Sequence, residues 1–142
     1  MMNSLLHPVQ QATIGRHQIL AVDDDEDNLL LLLQALERFD RSLLAASDGA
    51  TALMLAKTFQ PTLILLDIVL PDISGFDVLR HLKQNSKTAA IPVIAVTALA
   101  KAEDRQQLIQ SGCHDCISKP YLLEDLEQAV DHGLQLAALS CT

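Results

Sequence analysis

The stretch that most limits the fold is Leu63-Ile64-Leu65-Leu66-Asp67-Ile68-Val69-Leu70-Pro71, a near-continuous apolar run interrupted by one carboxylate. Bounded by Pro61 and Pro71, it reads as a strand buried on both faces of a parallel sheet. Asp67 then stands where the strand runs out, at the carboxyl edge where open α/β sheets bind ligands. Three other segments repeat the layout. Ile19-Leu20-Ala21-Val22 leads into Asp23-Asp24-Asp25, Val93-Ile94-Ala95-Val96 into Thr97, and Asp115-Cys116-Ile117-Ser118 into Lys119.

From Gln18 onward strand and helix patterns alternate five times, the signature of a doubly wound α/β fold. Residues 1–16 lack periodicity and read as a short arm, 17–139 as one domain, and 140–142 as a tail. Helices are expected near 26–39, 49–59, 76–84, 101–111 and 122–139, with a short strand at 43–47 and another beginning at Ile91. An Asp of the 23–25 cluster is available as the first helix cap, and Gly112 ends the fourth helix. In the first helix Asn28, Leu31, Leu32, Ala35, Leu36 and Phe39 share a stripe, leaving Leu29, Leu30 and Leu33 outside it. Those outer leucines are either covered by neighbours or form an apolar patch for a partner or a second copy of the chain. Leu126, Ala129, Val130 and Leu134 of the last helix should face the sheet.

Composition narrows the function. Ten basic against 18 acidic residues give a net charge of −8, which argues against a nucleic-acid surface. No apolar run approaches a membrane span, and the amino end lacks the pattern of a secretion signal. Three cysteines, an odd number, fit a reducing cytoplasm better than a disulfide framework.

Asp23, Asp24 and Asp67 would gather at adjacent strand ends. Like charges so close either raise their pKa values or hold a cation, and hard oxygen ligands favour Mg²⁺. Lys119 could meet an anion and Thr97 could donate a hydroxyl. A carboxylate nucleophile with these neighbours suits phosphoryl transfer onto Asp67. Singly, each residue has a plainer reading: a helix cap for Asp23 to Asp25, a turn residue for Asp67, a β-branched strand residue for Thr97 and a solvated charge for Lys119. Their joint placement at four strand ends is what those readings leave unexplained.

With these residues assembled, the chain resembles a response-regulator receiver domain of two-component signalling, of the stand-alone type. The matching motifs are Val22-Asp23-Asp24-Asp25, Leu66-Asp67-Ile68-Val69-Leu70-Pro71-Asp72-Ile73-Ser74-Gly75, Val96-Thr97-Ala98 and Ile117-Ser118-Lys119-Pro120, in family order over about 100 residues. The segment from Thr97 through Cys113 also resembles single-domain regulators of bacterial cell-cycle relays. The resemblance implies a five-stranded parallel sheet of order 2-1-3-4-5 with helices on both faces. It implies that Asp67 accepts the phosphoryl group. It further implies that Asp24 ligates Mg²⁺ directly, Asp23 through water and Val69 by its backbone carbonyl. Thr97 and Lys119 would contact the phosphoryl group, Ala98 would leave access, and Lys119–Pro120 would be a cis peptide. A histidine kinase or phosphotransfer protein would be the donor, a further protein the target, and the chain a switch rather than a turnover enzyme. The apolar Val69 and Leu99, flanking the site, imply slow self-dephosphorylation.

Two features depart from that pattern. Cys116 stands where the family usually carries the aromatic ring of its switch, which leaves a constitutive, phosphate-independent binding module as the alternative. Cys113-His114-Asp115-Cys116 has the spacing of a redox or metal motif, but it enters a strand rather than a helix. An offset of three in extended chain would place the thiols on opposite faces, so buried structural cysteine is expected. An Asp-nucleophile phosphatase typically has a second Asp two residues after the first, and Val69 occupies that position. His81, beside Arg80 and Lys83, reads as a solvated helix residue, and Tyr121 as a packing residue.

Overall fold

A computed structural model describes residues 18–98 and 101–140. Among these, five parallel strands alternate with five α-helices. They are β1 (Gln18–Val22), α1 (Glu26–Leu36), β2 (Ser42–Ala46), α2 (Gly49–Phe59), β3 (Leu63–Leu66), α3 (Gly75–Gln84), β4 (Val93–Thr97), α4 (Ala102–Gln110), β5 (Asp115–Ser118) and α5 (Leu123–Ser140). The sheet order is β2-β1-β3-β4-β5, as the family resemblance implies. The arm assigned to residues 1–16, Leu99 and the last two residues of the tail lie outside the described residues. No helix among those described is long and apolar enough to cross a membrane.

Period-two alternation divides the core. Leu20, Ile64, Leu66, Val93 and Ala95 point to the side covered by α2, α3 and α4, where Ala52, Val78, Leu79 and Leu108 are buried. Ile19, Leu63, Leu65, Ile94 and Val96 point to the side covered by α1 and α5. The three central strands are apolar on both faces for this reason. Leu126, Ala129 and Val130 of α5 are buried, with Leu134 packed beside them, as their spacing predicts.

Some boundaries and one helix face differ from expectation. Regular helix α1 ends at Leu36, a 3-10 turn carries the chain to Phe39, and Asp40 reverses it at φ 51°. β4 starts at Val93 rather than Ile91, because Pro92 lacks the N–H that a central strand must donate. On α1, Leu32 and Leu36 are the buried positions, with Leu29 and Leu33 packed beside them. Leu31, expected inside, is 59 % exposed, and Leu30 is 56 % exposed. Consecutive leucines contain two overlapping helical stripes, and packing against the sheet and α5 selects the one through Leu29, Leu32, Leu33 and Leu36.

The loop after β3 closes tightly. Gly75 N–H donates to the Ile68 carbonyl at 2.8 Å, and Ser74 caps α3 through its hydroxyl. A Cβ on Gly75 would stand 2.4 Å from Ile68 Cα and 2.9 Å from the Asp67 carbonyl oxygen, so backbone would have to move. On Gly133 the added Cβ would first meet the flexible end of Leu63. Gly75→Ala is therefore expected to destabilise the protein by about 2–3 kcal/mol, and Gly133→Ala by less, as read from urea unfolding midpoints.

Candidate functional site

The sheet ladder continues into the candidate residues themselves. Asp67 N–H donates to Val22 O at 3.0 Å, Asp23 N–H to Ala46 O at 3.1 Å, and Lys119 N–H to Thr97 O at 2.9 Å. Backbone pairing thus fixes where each side chain starts. Asp23, Asp67 and Thr97 are buried, at 3 %, 6 % and 0 % exposure.

One ammonium group joins two of the carboxylates. Lys119 Nζ lies 2.6 Å from Asp23 Oδ2 and 3.1 Å from Asp67 Oδ2. The remaining oxygens accept backbone donors: Asp23 Oδ1 from Asp25 N–H at 3.0 Å, and Asp67 Oδ1 from Val69 N–H at 3.0 Å. Asp25 supplies the cap of α1, accepting from Asp27 and Asn28 N–H, which leaves Asp23 and Asp24 for the pocket. Asp24 is exposed, yet one oxygen from each of Asp23, Asp24 and Asp67 can lie within 4.8 Å of the others. Lys119–Pro120 is a cis peptide, as the family resemblance implies.

Burial pushes the Asp67 carboxyl above its ordinary pKa, and the Asp23 charge adds to the rise. The Val69 N–H and Lys119 pull it the other way. For Lys119 burial acts downward, but its bonds to Asp23 and Asp67 prevail and its pKa is raised. Three carboxylates thus gather beside a single ammonium, which bonds only Asp23 and Asp67. Each of the two buried ones makes two described hydrogen bonds, which leaves about two of its four lone-pair sites for a further partner. An all-oxygen donor set with spare capacity and excess negative charge fits a hard cation such as Mg²⁺.

Asp72 is a residue whose part the sequence did not reveal. Its carboxylate accepts from Gly49 N–H at 2.7 Å and Ala50 N–H at 2.9 Å, clasping the β3–α3 loop to the first turn of α2. Those backbone donors hold its pKa below the usual carboxylate range. The same loop carries Val69, which is 57 % exposed. In the sequence Asp72 stood out only as part of the motif that follows Asp67.

Residues 19–131 match the family model described as the response regulator receiver domain. The chain belongs to the response-regulator receiver family. This receiver domain is 40 % identical over 102 residues to the polar-differentiation response regulator DivK of Brucella anthropi, covering 72 % of this chain and 83 % of that protein. It is 35 % identical over 134 residues, 94 % of its length, to a Vibrio cholerae protein described as a cyclic di-GMP phosphodiesterase, of which it spans only 30 %. The fold resembles the signal receiver domain of a protein described as a Luxo repressor from Vibrio parahaemolyticus. There the TM-score is 0.82 and the identity 31 %, with 88 % of this chain and 95 % of that one covered.

The cysteines of the receiver domain's C-x-x-C motif are buried as expected, with one correction. Cys113 and Cys116 are both buried and lie on the same side of the sheet, not on opposite faces. The strand begins only at Asp115, so the extended-chain offset does not apply to Cys113. Cys113 Sγ–H faces the carbonyls of Asp115 at 2.8 Å and Val93 at 3.2 Å. Arg105 of α4 donates to the Cys116 carbonyl at 3.1 Å, tying α4 to the edge strand. His81 is exposed, and Tyr121 packs against the α1–α5 side of the core.

Burial raises the Cys113 thiol from 9.0 to about 11. Across that interval the unfolded chain releases the proton and the folded one retains it, so stability should fall as pH rises from 9 towards 11. At pH 8 Cys113 should resist alkylation in the native protein and react once urea unfolds it, which peptide mass analysis would read.

Proposed function

We propose that this receiver domain is a phosphorylation switch in which Asp67 accepts a phosphoryl group from the phosphohistidine of a histidine kinase or phosphotransfer protein. The observation that carries the reading is the Lys119 ammonium shared between Asp23 and Asp67 at the carboxyl edge of the sheet. An Asp67 oxygen attacks phosphorus, the O–P bond forms as the P–N bond breaks, and the electron pair leaves on the donor imidazole. Lys119 then exchanges its contact with Asp67 for one to a phosphoryl oxygen, and Thr97 donates its hydroxyl to another. Asp24, Asp23, Asp67 and the Val69 carbonyl would hold Mg²⁺, which when bound neutralises charge on the phosphoryl oxygens. Recruitment of Thr97 alters the chain that follows it and the α4 surface, and the signal passes to a protein target, all in the cytoplasm. The domain turns over no substrate of its own.

The donor surface follows from proximity. A groove of about 610 Å³ is lined by Leu31, Leu32, Tyr121 and Leu123 and also by Asp23 and Lys119, so an occupant touches the pocket itself. The outer leucines read from the sequence were Leu29, Leu30 and Leu33, but Leu29 and Leu33 pack against the core, and Leu30 and Leu31 are the exposed pair.

Incubation with a small-molecule phosphodonor and Mg²⁺ should add one phosphoryl group by intact mass, absent in Asp67→Asn and without the metal. No adduct under any condition would favour the constitutive binding module that Cys116 hints at. Leu30→Glu combined with Leu31→Glu should leave that reaction unchanged while slowing transfer from the cognate phosphohistidine donor about tenfold or more. Equal transfer rates would remove α1 from the docking surface.

A further inference from the structure

Away from the acidic pocket, two histidines from different elements meet. His114 lies in the turn that enters β5, and His132 lies in the second half of α5. His114 Nε2 and His132 Nδ1 are 3.3 Å apart, with ring centroids at 5.0 Å and planes tilted by 47°. That separation is within hydrogen-bond distance, though longer than the roughly 2.9–3.0 Å most common for N–H···O bonds. It matches the bite of a tetrahedral metal, since metal–nitrogen bonds of about 2.0–2.1 Å place two ligands roughly 3.4 Å apart. We propose that His114 and His132 form a two-histidine site for a divalent transition-metal ion of the zinc class.

The surroundings define what the site would take. Imidazole nitrogens select zinc, nickel, cobalt or copper, whereas Mg²⁺ prefers oxygen donors, so the pair and the acidic pocket differ in choice of ion. They also differ in place. β5 runs from Asp115 to Ser118, so His114 marks its amino end and Lys119 its carboxyl end. Neighbouring donors are otherwise engaged: Cys113 Sγ faces the Val93 and Asp115 carbonyls, and Asp115 Oδ1 accepts from Cys116 N–H. Among the described residues no third His, Cys, Asp or Glu joins the pair in a three-ligand group. The remaining positions therefore fall to water or to a donor from a bound molecule. For both facing nitrogens to ligate, the proton between the neutral rings moves to the far nitrogen of its own ring, His114 Nδ1 or His132 Nε2. No oxidation or net charge change of the rings accompanies this. Bound metal would staple the start of the edge strand to the last helix.

The test is a Zn²⁺ titration of the full chain by calorimetry, with Mg²⁺ in excess, on wild type, His114→Gln, His132→Gln and the double variant. The expected result is one site per chain in wild type, weakened about tenfold or more by either substitution, with little further loss in the double variant. Ring ¹⁵N spectra should then show His114 Nε2 and His132 Nδ1 as the nitrogens that move. Urea unfolding without metal confirms that each variant folds. Absence of binding in wild type overturns the proposal. So does Zn²⁺ binding that both variants retain, which would place the ion on His7, His17, His81 or the thiols.

Discussion

The Lys119 ammonium makes the rest of the edge tenable. Two carboxylates a few ångströms apart repel by about 3–4 kcal/mol at an intermediate effective dielectric, and Asp23 and Asp67 are both buried. Each adds the cost of leaving water. A cation delivered by β5, from 96 residues away along the chain for Asp23, offsets this at both oxygens. Its position in turn depends on the Lys119 N–H bond to Thr97 O, and so on β4. The parallel sheet, with its long crossovers, is the means of bringing these chemically distinct ends together.

Much of this was written locally. Apolar runs ending in polar residues specified four strand ends, and an Asp of the adjacent triplet was legible as a helix cap, though only the structure shows it to be Asp25, with the other two beside the pocket. Strand order came through the family resemblance rather than periodicity. What failed depended on contacts distant in sequence. The inward face of α1 was ambiguous because Leu29 to Leu33 fit two stripes, and only packing against the sheet and α5 distinguishes them. Asp72 looked local, while its partners sit more than twenty residues earlier on α2. The thiols of Cys113 and Cys116 share a side because a turn, invisible to strand geometry, precedes β5.

The two sides of the sheet are equipped differently. On the α1–α5 side, an apolar groove opens directly beside Asp23 and Lys119. On the other, Asp72 ties the Val69 loop to α2, and Arg105 ties α4 to β5. A molecule entering from the first side would meet the pocket without disturbing the ties on the second. Access and response can then be separate properties of one small domain.

Arg105 has a consequence for solubility. β5 is an outer strand of the sheet, and an outer strand whose backbone groups are free is a template for pairing with another chain. The guanidinium occupies the Cys116 carbonyl and lies 3.4 Å from Ser118 Oγ, setting a charged, bulky group along that rim. Strand-to-strand addition, the route to fibrillar aggregates, is thereby obstructed along this edge of the sheet. Any neighbour that settles on this rim must engage side chains rather than extend the sheet.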